Sequence, residues 1–552
     1  MSALPARAAR TVVLVAGLVA GPCGAQPAAP PPTDLSPVEA AASPLNLPPH
    51  WHRGAFMEIF VRAYQDSDGD GIGDLKGLTS RLDYLKALGI KGLWLMPIQH
   101  SADHDHGYAT ADFRAVEPAY GTLADFDALV SEAAKRGIGV VMDYVINHSA
   151  AEHPLFVAAR NDPSSRWRDW FVWSADAPPG WDIWGKYPWY WREAEPWTYR
   201  GDVKDLARAP EGAKDFYFGT FGPHMPDFNL RNADVLEYHF SSLRFWLNRG
   251  LAGYRLDAVP HMIENDSTHW NDQPESRALT KRLQSLIKSY PSRYVVCEAT
   301  AEPQAYGDAS VCGGAFAFGY VHHFVDAARG KAESVAKLAD YYRHASPTMA
   351  TFVSNHDIFA GQRLWDQLDG DTARYKLAAA GYLLQPGTPF IYYGEEIGQA
   401  GAAGLKSDLP VRSPMSWTDD ANNAGFSTGT PFRAIAPNVA TNNVVAQQRD
   451  PNSILNFYKT MLALRNTRPS ISRGSFEHSF AAGRVLGFQR ALDRERTLVL
   501  INYGDTPATV RVPGLSSRAQ ARAAYPLRSR AVRGARFIVP AQAVRVYDLR
   551  RR

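Results

Sequence analysis

Apolar and β-branched residues gather in eight short runs along the chain, and between several of them the spacing changes from alternation to the repeat of a helix. The runs begin near Met57 (MEIFVRAY), Gly92 (GLWLMPI), Val140 (VVMDYVI), Gly253 (GYRLDAV), Tyr294 (YVVCEA), Ala315 (AFAFGYV), Met349 (MATFVS) and Phe390 (FIYYGEE). Leu123 to Arg136 is one of the intervening amphipathic helices, with Thr122 as N-cap and Gly137 as stop. Strands that alternate with helices predict a parallel sheet, here eight strands closed into a (β/α)8 TIM barrel over residues 48–148 and 224–468. Residues 149–223 interrupt the alternation after the third strand and read as a small inserted domain. Past Arg468, short alternating runs (VLGFQRAL, TLVLINY, ATVRV, RVYDL) predict a C-terminal antiparallel β-sandwich over 469–552.

The polar residues that end these runs carry the chemistry, because parallel α/β barrels place their active sites at the C-terminal ends of the strands. Alternate side chains of a strand share a face, so Arg255 and Asp257 in GYRLDAVPH point the same way, and the guanidinium can hold the Asp257 carboxylate ionised as a nucleophile. Glu298 closes the apolar run Tyr294 to Cys297, a setting that raises a carboxyl pKa and suits a general acid. Two carboxyls perturbed in opposite directions meet the requirement for glycoside hydrolysis through a covalent glycosyl-enzyme. His148, which follows Asp143 and Asn147 in DYVINHS, and His356 in FVSNHD are donors for sugar hydroxyls; Asp357 is an acceptor.

A second cluster points to a metal. Asp66, Asp68, Asp70 and Asp74 stand at alternate positions among glycines, which suits a hard cation with many oxygen ligands. Gly77 occupies the place of the bidentate Glu, so the loop is not an EF-hand. A net charge of +3 makes no electrostatic case for nucleic acid, and the arginines near the C-terminus are scattered among Ala and Val as on a solvated face. Arg7 and Arg10 precede a short apolar run and the small residues before Gln26, so residues 1–25 read as a cleavable export signal and the Pro/Ala-rich stretch 26–47 as a disordered lead-in. No other segment is long and apolar enough to cross a membrane. Export permits a disulfide between Cys297 and Cys312; the alternative is that Cys297 is a small buried apolar residue on its strand.

The four segments DYVINHS, GYRLDAVPH, YVVCEAT and FVSNHD resemble the consensus regions of the α-amylase family of glycoside hydrolases, a likeness that runs from about Phe56 to the C-terminus. The resemblance implies Asp257 as nucleophile, Glu298 as acid/base and Asp357 as the residue that grips and distorts the glucose, with Arg255, His148 and His356 as supports and Tyr108 stacked on the sugar ring. MPDFNL (Met225 to Leu230) resembles a motif of the group between oligo-1,6-glucosidases and neopullulanases, and RSPMSW (Arg412 to Trp417) a block of that group and of trehalose synthases. It further implies that 149–223 is the family's small second domain and that Asp66, Asp68, Asp70, the Ile72 carbonyl and Asp74 bind calcium. Asn147 and His261 occupy ligand positions for a second calcium, with Asp202 or Asp215 as candidate partners, and His261 also counts among the substrate contacts.

Two departures bear on specificity. In exo-acting members and trehalose synthases an Asp after the Tyr of GYATADF pairs with an Arg three residues beyond the NHD Asp; here those positions are Ala109 and Ala360. An open cleft and internal α-1,4 cleavage are therefore expected, unless Arg363 reaches back; Pro260 stands where many α-amylases have Lys. The expectation is a monomeric, secreted or periplasmic retaining hydrolase of starch and maltooligosaccharides that uses calcium. The alternatives are an exo-acting α-glucosidase and a trehalose-synthase-type isomerase or transglycosylase.

Overall fold

The computed structural model describes residues 33–197, 209–527 and 531–550. The expected export signal, Asp202 and the last two arginines lie outside them. Among the described residues, no helix is long and apolar enough to cross a membrane.

Six strands pair in parallel in the order Tyr294–Cys297, Gly253–Leu256, Gly139–Tyr144, Gly92–Leu95, Phe56–Ile59 and Phe390–Tyr392. Single bridges Cys297 to Ala315, Phe316 to Ala350 and Thr351 to Pro389 carry the sheet round the remaining gap, so eight positions close the barrel. The runs at Ala315 and Met349, expected as full strands, are reduced to these bridges; Ala-Phe-Ala offers no β-branched side chain to favour longer pairing.

Aromatic rings fill the barrel. Phe56 and Phe316 each lie 4.9 Å from Phe390, Trp94 lies 5.2 Å from Phe316, and Trp94 meets His356 at 5.8 Å. The packed core thereby forms the floor under the loops at the strand ends. Gly92 makes room for it, since a Cβ there would sit 2.3 Å from the Phe56 ring. The expected helix runs from Leu123 to Lys135 and starts with a Thr122–Asp125 capping box.

Between the third and fourth strands lies a three-stranded antiparallel sheet of Trp173–Ser174, Phe216–Phe218 and Trp189–Trp191, with its own small core around Ile183, Tyr187 and Trp189. After the barrel, a six-stranded antiparallel sheet and the pair Ala508–Arg511 with Arg536–Val539 enclose Leu498, Leu500, Val510, Phe537 and Val539 as the expected sandwich. Residues 33–47, expected to be disordered, instead lie on the barrel without regular structure. Leu35, Leu45 and Leu47 pack against its core, the Val38 N–H donates to Ser241 Oγ (3.0 Å), and Arg293 donates to the Ser43 carbonyl (2.7 Å). Arginines whose polar ends meet backbone carbonyls supply the anchor that composition does not reveal.

Cys297 and Cys312 form a disulfide with Cα atoms 6.3 Å apart, fully buried beside Glu298. Closing a loop of this length stabilises the folded chain by about 3 kcal/mol in the chain-entropy account. Cys297→Ala with Cys312→Ala should therefore lower the denaturation midpoint measured in urea. An unchanged midpoint would show that the bond contributes nothing.

Candidate active site

The strand alternation that aimed Arg255 and Asp257 together also brings neighbouring strands to bear on them. Asp143 on Gly139–Tyr144 pairs in register with Arg255, and Glu298 follows directly on Tyr294–Cys297. One guanidinium serves three acids: Arg255 Nη1 lies 2.8 Å from Asp143 Oδ1 and also contacts Asp257, while Nη2 lies 2.9 Å from Glu298 Oε2. The Ala258 N–H donates to the same Glu298 oxygen at 3.0 Å. Asp143 in turn accepts from the Tyr108 hydroxyl (2.8 Å) and Trp94 Nε1 (3.2 Å).

Charge arithmetic corrects one expectation. Arg255 was to hold Asp257 ionised, but burial, reinforced by Glu298 and Asp143, pushes the Asp257 carboxyl well up against the pull of Arg255. Burial raises Asp143 as well, with Arg255 again opposing. Asp257 and Asp143, both buried and both on the one guanidinium, therefore favour a shared proton that belongs to the pair rather than to either residue.

The two expected histidines take opposite charge states. His356 places Nδ1 2.6 Å from Glu58 Oε1 and Nε2 3.1 Å from Asp357 Oδ2; burial opposes its charge, but these acids raise it to about 10. Burial likewise works against Asp357, yet His356 and Arg412 hold that carboxyl well below the usual range. The Tyr108 ring stacks on His356 with centroids 5.3 Å apart, and its hydroxyl meets Nε2 at 2.8 Å. His148, by contrast, is pushed by burial to about 3 and lines the cavity as a neutral imidazole. His261 faces the same cavity, stacked on Trp270.

Glu58 was missed. Its signal was a single carboxyl inside the apolar run FMEIF, where an unpaired charge is costly.

Charged residues other than those at positions 109 and 360 stand beside Asp357. Ala109 is fully buried against Ala111, Ala150 and Met225 and faces no cleft. Arg363 does not reach back: its guanidinium lies over Tyr392 and Tyr393 at 4.3 and 4.7 Å. Arg412 instead stands behind Asp357 at 3.0 Å, with Asp408 at 3.4 Å and Asp105 at 3.5 Å, and Arg433 holds Asp105 at 2.6 Å. Asp257, Glu298, Asp357, Arg412, Tyr108 and His148 all line one cavity of about 660 Å³.

In the carboxylate loop, Asp66, Asp68 and Asp74 bring oxygens within 4.8 Å of one another, while Asp70 stands outside and accepts the Ile72 N–H. Burial acts to raise Asp66, but the Ser427 hydroxyl and the N–H groups of Gly69, Gly71 and Asp68 lower it, so the loop is built to keep that charge. Gly71, at φ 90°, has no room for a Cβ, which would meet the Thr430 carbonyl at 2.1 Å. Of the candidate partners for Asn147, Asp202 lies outside the described residues and Asp215 is paired with Arg168 and Arg192. The side chain of Asn147 donates instead to Asp227 Oδ2 (3.0 Å), the Asp of MPDFNL, which burial raises to about 7. Burial and Asp227 raise Glu264 to about 8.

Comparison with known proteins bears on what this arrangement does. A family model described as "Alpha amylase, catalytic domain" matches residues 58–474. A trehalose synthase/amylase of Mycobacterium tuberculosis is 34% identical over 485 residues, covering 79% of this chain and 78% of that protein. A probable α-glucosidase of Rhizobium meliloti is 31% identical over 532 residues, 86% of this chain and 93% of its own. A crystal structure of a trehalulose synthase superposes with a TM-score of 0.76 at 25% identity, covering 91% of this chain and 100% of the other.

Proposed function

We propose that this chain, which belongs to the α-amylase family and is an enzyme acting on glucosides, takes the terminal glucosyl unit from maltooligosaccharides and short α-1,4-glucosides through a covalent glucosyl-enzyme. The observation that carries this reading is the Arg412, Asp105, Asp408 and Arg433 cluster behind Asp357. A glucose held by Asp357 would have charged side chains at its non-reducing end, which leaves no path for a chain to continue. Pocket-type action at a chain end therefore replaces internal cleavage as the favoured reading.

Asp257 attacks the anomeric carbon, and Glu298 protonates the departing oxygen, then accepts a proton from the incoming water or hydroxyl. Both carboxyls reach the same guanidinium, which suits the short separation, about 5 Å, of a retaining pair. His356, charged, and His148, neutral, donate to sugar hydroxyls, and Asp357 accepts from them.

A second reading, isomerisation of maltose to trehalose, is favoured by relatives named trehalose synthases, one of them 34% identical over most of its length. Maltose as the sole substrate separates the two: glucose as the dominant product supports the hydrolase, and trehalose in excess of glucose supports the isomerase. Release of β-glucose, read from the anomeric proton signals, would overturn both.

Calcium is part of the proposal. Asp66, Asp68 and Asp74 would hold the ion and keep the loop's charges from repelling one another. Excess chelator should lower the melting temperature, because an ion bound only to the native state adds stability. No shift, with no calcium found by elemental analysis, would rule the site out. An exported location also belongs to this reading and is supported by the Cys297–Cys312 bond, which persists in an oxidising compartment.

A further inference from the structure

The end of the barrel opposite the catalytic acids holds a second cavity, of about 450 Å³, at the seam with the C-terminal sandwich. Its barrel wall includes Arg53, just before the strand Phe56–Ile59, and Gly387, just before Phe390–Tyr392, so the cavity lies where the strands start. The other wall takes Arg473 from the end of the helix Pro469–Arg473 and Arg490 from the strand Val485–Leu492. Its size falls within the range of about 300–1,000 Å³ usual for small-molecule sites.

The charge of this cavity is one-sided. Arg53, Arg473, Arg490 and His50 line it, and among the described residues no carboxylate does. None of these four side chains forms an ion pair with an acid among the described residues. Glu477, which touches the lining by accepting from Ser475 Oγ at 2.7 Å, is already matched by Arg496.

Further cations stand behind the wall. Arg490 is buried and donates to the carbonyls of Gly474 (2.8 Å), Ser475 (3.1 Å) and Leu384 (3.3 Å), which leaves two of its five N–H groups over. Arg465, fully buried beneath it, meets the carbonyls of Arg53, Leu383, Gln385 and Gly387. Burial is the main cause that lowers both arginines to about 9; Arg53 adds to it at Arg465, and Arg465 adds to it at Arg490. Burial also lowers His52 and Lys288, and Arg53 again adds to both. Carbonyl dipoles solvate a guanidinium without cancelling its charge, so cations gathered around one cavity with no acid among them repel one another until an anion enters.

We propose that this seam cavity is a phosphate-binding site, which takes inorganic phosphate or the phosphate group of a small sugar ester between the barrel and the sandwich. A phosphate suits it better than a carboxylate, because a dianion answers the excess of cations and its oxygens can accept from forked guanidinium donors on both walls. Tyr342 and Phe476, with ring centroids 6.0 Å apart, place apolar surface beside the cations, where the carbon skeleton of an ester would lie. The site is separate from the glucoside chemistry and does not depend on it.

The test is isothermal titration of the full chain, at neutral pH and constant ionic strength, with sodium phosphate, glucose 6-phosphate and glucose. A phosphate ligand should bind at one site per chain, and glucose should not reproduce the heat. Tighter binding of the ester assigns the site to phosphorylated sugars; equal binding of the two assigns it to free phosphate. Arg53→Gln and Arg473→Gln, one on each wall, should each weaken binding roughly ten-fold, the scale of one hydrogen bond to a charged group. Arg473→Lys should lose less, since it keeps the charge and gives up only the fork. Neither position carries an ion pair whose loss would disturb the fold. Failure of both phosphate ligands to bind at millimolar concentration, or binding unchanged in both glutamine variants, overturns the proposal. Glucose 6-phosphate binding matched by glucose, with none by inorganic phosphate, overturns it as well, because the sugar alone would then account for the heat.

Discussion

Asp257→Asn and Glu298→Gln should each reduce turnover by roughly four orders of magnitude or more, because each removes a group that makes or breaks a covalent bond while keeping its volume. The two act as one unit, so the double variant should be little worse than either alone. The expected effect on stability runs the other way for Asp257. Its carboxyl is pushed up in the folded state by burial and by Glu298 and Asp143, so ionising it at neutral pH costs folding free energy. A group whose folded pKa is raised contributes stability at low pH and loses it as pH rises through that value. Asparagine cannot ionise, so the melting temperature of Asp257→Asn at neutral pH should equal or exceed that of the wild type, and the difference should shrink on acidification. Retention of more than a few per cent of activity would remove the assignment of Asp257 as nucleophile. A melting temperature that falls sharply would show instead that the residue is needed for the fold.

The residues legible in the sequence are those whose signal is local. Arg255, Asp257, Glu298, His356 and Asp357 each end an apolar run, and the two-residue strand period alone places Arg255 beside Asp257. The share that Asp143 takes of the same guanidinium was not legible, since it depends on the register between two strands more than a hundred residues apart in the chain. That register turned an isolated ion pair into a cluster of three acids and one cation, which adds to burial, the main cause, in raising Asp257 against expectation. The carboxylate loop was legible because its spacing repeats within nine residues, although only three of its four acids converge. The docking of residues 33–47 was not, because composition reports how little a segment can bury by itself and not which surface awaits it.

Distance in sequence also explains why the charge cluster behind Asp357 was not legible. Asp105, Arg412 and Arg433 come from three separate segments with no periodicity of their own, so their meeting beside Asp357 leaves no local pattern, whereas Ala109 and Ala360 sit at positions a short motif marks. Three-dimensional placement matters more than the position that carries the charge. Arg412 meets Asp105, Asp408 and, at 3.0 Å, Asp357, and its Nε donates to the His356 carbonyl at 2.9 Å, so under the proposed reading it would bound the pocket and orient Asp357 at once.

The wild-type chain should accordingly hydrolyse a maltooligosaccharide with a free non-reducing end at least about a hundred-fold faster than the same chain blocked at that end, because a block would have to displace a paired, buried guanidinium, at a cost of about 3–5 kcal/mol. Arg412→Ala should lower kcat/KM for maltose by roughly two to three orders of magnitude, since it leaves Asp357, Asp408 and Asp105 without their common partner. Arg412→Lys should recover only part of that loss, because an ammonium on a flexible stem cannot span the same carboxylates and carbonyl. Arg433→Ala removes the stronger of the two cations on Asp105 and a hydrogen bond to the Arg412 carbonyl but no direct contact with Asp357, so it should relax discrimination against the blocked chain more than it lowers activity on maltose. If the wild-type enzyme cuts blocked and unblocked chains at equal rates, the charged cluster does not bound the pocket, and internal cleavage of α-glucans becomes the better account of the cavity.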